Sequence, residues 1–152
     1  MSGRPTRDRT TADRRSALPS LIIFVGLPAS GKSTYYFQHF AATHVHVSKD
    51  LLARGARQEP LIDKALAAGQ SVVVDNTNPS PAVRAPLIAL GRRHGARIVG
   101  YFFEVDVKTA LMRNRQREGK ARVPDVAMFV TRKKLVPPSY DEGFDEIHVI
   151  AS

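Results

Sequence analysis

The chain has no cysteine among its 152 residues. That excludes disulfides, thiolate metal centres and a cysteine nucleophile, and it fits a reducing compartment. No apolar run approaches the roughly 20 residues that cross a membrane, and the N-terminus lacks the apolar middle of a secretory signal. The expectation is a soluble protein of the cell interior, most simply the cytoplasm, with no membrane partner. Internal repeats are missing too, and the length leaves no room for a second catalytic domain. The 43% apolar content is enough to close one core.

Acidic residues are few, 14 against 23 lysines and arginines, which gives a formal net charge of +9. The excess is uneven. Residues 1–20 hold five arginines and two aspartates among Ser, Thr, Pro and Gly, and read as a disordered basic tail before a single domain at 21–152. Asp8, Asp13 and the lack of an apolar face argue against an organellar transit segment. Residues 108–134 carry nine basic side chains against two acidic ones. Such a segment suits a phosphate-rich partner; a solvated basic helix face is the alternative.

Apolar runs recur at residues 21–25, 45–47, 72–74, 98–103 and 147–150, separated by segments with helical spacing. This alternation predicts an α/β protein, a three-layer sandwich around a parallel sheet with its site at the carboxyl ends of the strands. The intervening helices are expected at about 32–43, 60–68, 79–94 and 107–116, with Gly69 and Gly95 as C-caps and a short helix restarting at Val123-Pro124-Asp125.

Directly after the first apolar run stands Gly26-Leu27-Pro28-Ala29-Ser30-Gly31-Lys32-Ser33, which completes the pattern G-x-x-x-x-G-K-[ST]. A buried strand, a loop whose N–H groups wrap a polyphosphate and a helix N-terminus facing it are the three parts that bind a nucleotide. Lys32 is expected on the β- and γ-phosphates, Ser33 on Mg²⁺ and Thr34 on a further phosphate. P-loop kinases place the third strand beside the first, which implies five strands in the order 2-3-1-4-5.

The third strand ends in Asp75, a candidate metal ligand, and the residue after it is Asn76. Motor-type ATPases usually have a water-activating glutamate there, so asparagine argues for transfer to a hydroxyl over hydrolysis. The second strand runs into Ser48-Lys49-Asp50, and Asp50 is the candidate base that takes the proton from an attacking hydroxyl. His44 and His46 alternate on that strand and share a face. Without a third ligand nearby they read as ordinary hydrogen-bonded histidines, not a metal pair.

In 107–116 the apolar stripe is Val107, Ala110 and Leu111, with Asn114 on the same face. At 100° per residue Arg115 and Arg117 flank that inward face and Arg113 lies further out. The segment reads as an Arg-rich lid, approximately 113–135, whose arginines close over ATP. Arg84 and Arg54 are candidate grips for an acceptor phosphate, each with a plain surface role as the alternative.

These pieces together resemble the kinase domain of polynucleotide kinase 3′-phosphatases. The residues that carry the likeness are 26–34, Val47-Ser48-Lys49-Asp50, Val73-Val74-Asp75-Asn76-Thr77-Asn78-Pro79, Arg113-Asn114-Arg115-Gln116-Arg117-Glu118 and Glu142-Gly143-Phe144. The resemblance implies ATP- and Mg²⁺-dependent phosphorylation of a 5′-hydroxyl on DNA or RNA. In it Asp50 is the base, Lys32 and Ser33 bind the donor, Arg84 holds the acceptor strand, and Arg115 and Arg117 belong to the lid. Lys49 stands where an arginine is common, so charge is kept and bidentate phosphate contact is lost. The Asp-x-Asp phosphatase motif of the larger members is not in this sequence, which implies a separate phosphatase or ligase partner. Two other readings stay open: a kinase of a small-molecule hydroxyl (sugar, antibiotic or nucleoside), and a nucleotide-dependent nucleic-acid-binding module without transfer.

Overall fold

A computed structural model describes residues 18–151. The expected basic tail lies outside the described residues except for its last three positions. Ser20 already belongs to the sheet, and the Pro19 carbonyl accepts a hydrogen bond from the Arg97 N–H at 3.0 Å. The first strand therefore begins one residue before 21.

Valine- and isoleucine-rich runs with helices on both faces form a wholly parallel sheet because only burial on both sides suits them. The strands are β1 (Ser20–Gly26), β2 (His44–Val47), β3 (Ser71–Val74), β4 (Arg97–Glu104) and β5 (Glu146–Ala151), in the order β2-β3-β1-β4-β5. This is a P-loop NTPase-like fold. The helices are α1 (Lys32–His39), α2 (Gln58–Ala67), α3 (Pro81–Arg93), α4 (Val107–Arg115) and α5 (Asp125–Lys134). No described helix is long and apolar enough to cross a membrane.

The helix ends depart from expectation for local reasons. α1 stops at His39 because the Thr43 and His44 N–H groups both return to the Phe40 carbonyl. α2 begins two residues before Pro60, since the first-turn N–H groups of a helix have no internal partner and proline sacrifices nothing there. α3 starts at Pro81 behind Ser80, whose Oγ accepts from the Val83 N–H at 3.3 Å.

One sheet face packs Leu21, Ile23, Val72 and Ile98 against Ile62 and Leu66 of α2 and Leu87 and Ile88 of α3. The other packs Ile22, Phe24, Val73 and Phe103 against Tyr36 of α1. A smaller cluster of Leu27, Ala110 and Met128 fastens α4 and α5 to the phosphate loop. Gly91 lets α3 approach the sheet: a Cβ there meets Ile98 Cδ1 at 2.4 Å and Leu21 Cδ2 at 2.9 Å. Gly91→Ala is expected to lower stability by about 1–3 kcal/mol through overpacking, read as a fall in the urea midpoint; an unchanged midpoint contradicts this packing.

Candidate active site

The phosphate loop leaves β1 with its start tied across to the loop that follows β3, the Gly26 N–H donating to the Thr77 carbonyl at 3.1 Å. A Cβ on Gly26 meets Phe103 Cβ and Ser30 Oγ, both at 3.0 Å, so the loop closes tightly only with glycine. Gly31 caps α1 at φ 95, in the left-handed region that favours glycine. Lys32 folds back beneath the loop, its Nζ donating to the carbonyls of Leu27 at 2.7 Å and Gly26 at 3.1 Å. Burial lowers its ammonium to about 8; Asp75 opposes that fall, Arg117 adds to it and Asp50 opposes it. At neutral pH Lys32 therefore stays cationic.

Ser33 begins the exposed side of α1, and its hydroxyl donates to Asp75 Oδ2 at 2.8 Å. A hydroxyl and a carboxylate side by side are hard oxygen donors of the kind Mg²⁺ takes alongside phosphate and water, so these residues fit the ion. The same Oδ2 lies 2.8 Å from His46 Nε2, a partner the sequence reading left unassigned. Parallel pairing of β2 with β3 sets His46 level with Val73, two residues before Asp75. The Tyr36 ring stacks on His46 at 3.9 Å and 13°, holding the imidazole in place. His44 points elsewhere, to Thr43 Oγ1 at 2.7 Å. Among the described residues no group of three or more His, Asp or Glu is placed to hold a metal, and the two strand histidines have different partners.

A cleft of about 730 Å³ opens over this floor. Pro28, Ala29, Gly31, Lys32, Ser33 and Thr34 line it from the phosphate loop, and Asp75, Asn76 and Thr77 from the end of β3. Ser48, Lys49 and Asp50 complete that wall from the end of β2. Asp50 stands exposed on a single 3₁₀ turn, Lys49–Leu51, whose first N–H groups are met by the Ser48 hydroxyl and the Asn76 side chain. Lys49 and Asp50 therefore share one cleft with Lys32, Ser33, Thr34 and Asp75.

Arg113 and Arg117 also line the cleft. Arg115 does not: it is exposed and its Nη2 donates to Asp125 Oδ2 at 2.9 Å. The sequence reading placed Arg115 and Arg117 there; the structure lines the cleft with Arg113 and Arg117. Arg113 and Arg115 flank the inward face of α4 on opposite sides, and the docking of Ala110 against Leu27 and Met128 decides which side meets the cleft. Arg117 Nη1 is buried with no hydrogen-bond partner, which suits a cation awaiting an anion. Asn114 braces this wall, exchanging hydrogen bonds with the Val123 backbone at 2.6 and 2.9 Å.

Arg84 is not an acceptor grip in this structure. Its side chain is fully buried, Nε and Nη2 donating to the two Glu142 carboxylate oxygens at 2.8 and 2.9 Å. Nη1 serves the Asn78 and Val136 carbonyls at 2.8 and 3.0 Å. Four of its five N–H groups are hydrogen-bonded inside the protein and the side chain has no exposed surface, so it does not face a substrate. Arg54 is exposed and lies outside the cleft lining.

A family model described as an AAA domain matches residues 21–136. The chain is similar to an Acanthamoeba polyphaga mimivirus protein named for a bifunctional polynucleotide phosphatase/kinase, 29% identical over 137 residues that make up 86% of this chain and 32% of that protein. It is similar also to the Schizosaccharomyces pombe bifunctional polynucleotide phosphatase/kinase, 24% identical over 90% of this chain and 35% of that one. The chain thus spans about a third of the length of these curated relatives. Among solved structures, Chaetomium thermophilum Kti12 in complex with ADP-AlF3 superposes at TM-score 0.69 with 16% identity, covering 86% of this chain and 88% of that one. A chain of the Pnkp1/Rnl/Hen1 RNA repair complex superposes at TM-score 0.66 with 25% identity, over 78% of this chain and 44% of that one. A sugar kinase from Janibacter sp. HTCC2649 superposes at TM-score 0.65 with 15% identity, over 88% and 85%.

Proposed function

The chain belongs to the AAA domain family, and from that premise we propose that it is an ATP-dependent kinase acting on the 5′-hydroxyl of a DNA or RNA end. One observation carries the reading: an exposed carboxylate, Asp50, shares a cleft with the phosphate-loop lysine and an arginine whose buried Nη1 has no partner. A carboxylate so placed can take the proton of an acceptor hydroxyl. The names of the two curated relatives support a nucleic-acid acceptor, as does the basic segment 108–134.

In this reading the loop amides and Lys32 hold the triphosphate of ATP. Asp50 accepts the proton of the attacking hydroxyl as its oxygen bonds to the γ-phosphorus, and the bond to the bridging oxygen breaks to release ADP. Ser33 and Asp75 would hold Mg²⁺, which would supply neutralisation of phosphate charge. Arg117 and Arg113 meet the charge of the transferring group, where fixed cations in a desolvated cleft act most strongly. Residues 113–135 then serve as the lid, and Lys49 beside the base contacts the acceptor's phosphates. A phosphatase or ligase acting on the same ends is the natural partner.

The test is incubation with γ-labelled ATP, Mg²⁺ and matched DNA and RNA oligonucleotides bearing 5′-hydroxyl or 5′-phosphate ends. Label is expected on the 5′-hydroxyl ends alone. Label on one member of a sugar, nucleoside or antibiotic panel instead makes the protein a small-molecule kinase. Salt-sensitive oligonucleotide binding with only slow ATP hydrolysis makes it a binding module.

A further inference from the structure

Asp50 sits on a three-residue turn that buries none of its own side chains. Residues 53–57, which lead from it to α2, are exposed throughout. A segment with so little packing does not hold a reacting group to within a fraction of an ångström by itself. What fastens it is a pair of side-chain amides. Asn76, the first residue past the metal-binding carboxylate, accepts the Lys49 N–H on Oδ1 at 2.9 Å. Its Nδ2 donates to Gln58 Oε1 at 2.8 Å. Gln58 is the first residue of α2 and is buried, outside the cleft lining.

We infer that Asn76 and Gln58 are positioning residues for Asp50, a latch that ties the base-bearing turn to the end of β3 at one side and to α2 at the other. The inference rests on the kinase reading above for the role of Asp50. It also gives Asn76 a task. A glutamate at 76 has no N–H to offer Gln58 Oε1, whereas asparagine both accepts from the turn and donates to the helix. The residue that weighs against water activation is thereby the one that sets the distance between the base and the phosphate. Gln58 acts only through Asn76, so removing either frees the same turn.

A mutant cycle tests this. Asn76→Ala is expected to lower kcat about 100-fold, the cost of a misplacement near 1 Å, with the affinity for ADP by calorimetry unchanged. Gln58→Ala is expected to lose about 10-fold in kcat, and Gln58→Glu, which keeps an acceptor for Nδ2, to restore most of it. The double alanine variant should be no slower than Asn76→Ala alone, because residues acting in series are not additive. Multiplying losses, wild-type turnover in Gln58→Ala, or an equal loss of ADP affinity each overturn the latch. Hydrogen exchange of the peptide containing residues 47–52 gives a second measure that needs no transfer. Both alanine variants should speed exchange at the Lys49 amide while leaving the β1 amides protected. Unchanged exchange there refutes the latch even in an active enzyme. Faster exchange in a protein that phosphorylates nothing upholds the latch and refutes the kinase.

Discussion

Asp50→Ala is expected to abolish measurable phosphoryl transfer, a loss of about 10²–10⁴-fold in kcat, the range that a positioned acid or base supplies. The side chain is exposed, and the turn beneath it is held by backbone groups, Ser48 and Asn76. Stability and the affinity for ADP should therefore stay close to wild type. Those two controls give the experiment its force. A variant that folds, binds ADP and does not phosphorylate assigns Asp50 to the chemical step. If Asp50→Ala instead retains turnover with 5′-hydroxyl oligonucleotides, the carboxylate is only the acidic residue of a capped turn, and the kinase reading loses the observation that carries it. The nearness of Asp50 to Lys32, enough to oppose the burial-driven fall of the lysine's pKa, predicts a small side effect: the variant should bind nucleotide slightly more tightly, because one like charge is removed from the triphosphate's surroundings.

Arg84→Ala should cost about 3–5 kcal/mol, the penalty for leaving one member of a buried ion pair alone, and so consume much of the margin of a small domain. Glu142 would keep its charge with only the Ser139 N–H to meet it, and the Asn78 and Val136 carbonyls would lose their donor. Arg84→Lys should not rescue it, because a single ammonium cannot serve both carboxylate oxygens and two carbonyls in the same geometry. The measurement is the urea midpoint of each variant. Burial pushes the Glu142 carboxyl up, but hydrogen bonds from Arg84 and the Ser139 N–H outweigh it and hold the pKa below its ordinary 4.5. A lowered native pKa means the unfolded state takes up the proton first. The contribution of Glu142 is therefore complete above pH 4.5 and disappears as pH falls through the lower native value. Wild type should lose stability over that acid range more steeply than Glu142→Gln. A stable Arg84→Ala protein that merely binds oligonucleotide less well would return Arg84 to the acceptor role that its burial denies.

The phosphate loop, the five strands and their helices were legible in the sequence because their signals are local. A glycine pattern between an apolar run and a helix, valine runs at regular intervals and turn residues at the ends all act within a few positions. Even so, helix ends moved by several residues, because capping partners such as the Phe40 carbonyl and the Ser80 hydroxyl decide them atom by atom. Within the candidate site, Lys32 and Ser33 were nameable from the phosphate-loop pattern, and Asp50 and Asp75 from their places after strands. Arg113, His46 and Gln58 were not. Arg113 faces the cleft because α4 is docked through Leu27 and Met128, which no helical wheel contains. His46 meets Asp75 through the register of two strands 29 residues apart in sequence.

By itself, then, the sequence determined that a phosphate-loop pattern stands at residues 26–34 between a strand and a helix and that a carboxylate follows each of β2 and β3. Both properties depend on backbone geometry that short motifs impose. Tertiary structure decided which charges face the cleft and which are consumed inside the protein. Arg84 and Arg117 look alike in one dimension. One is surrounded by Glu142 and two carbonyls, and the other keeps a buried nitrogen without a partner. An arginine is available to a ligand only when nothing nearer has satisfied it, and what lies nearer is set by the packing of distant segments.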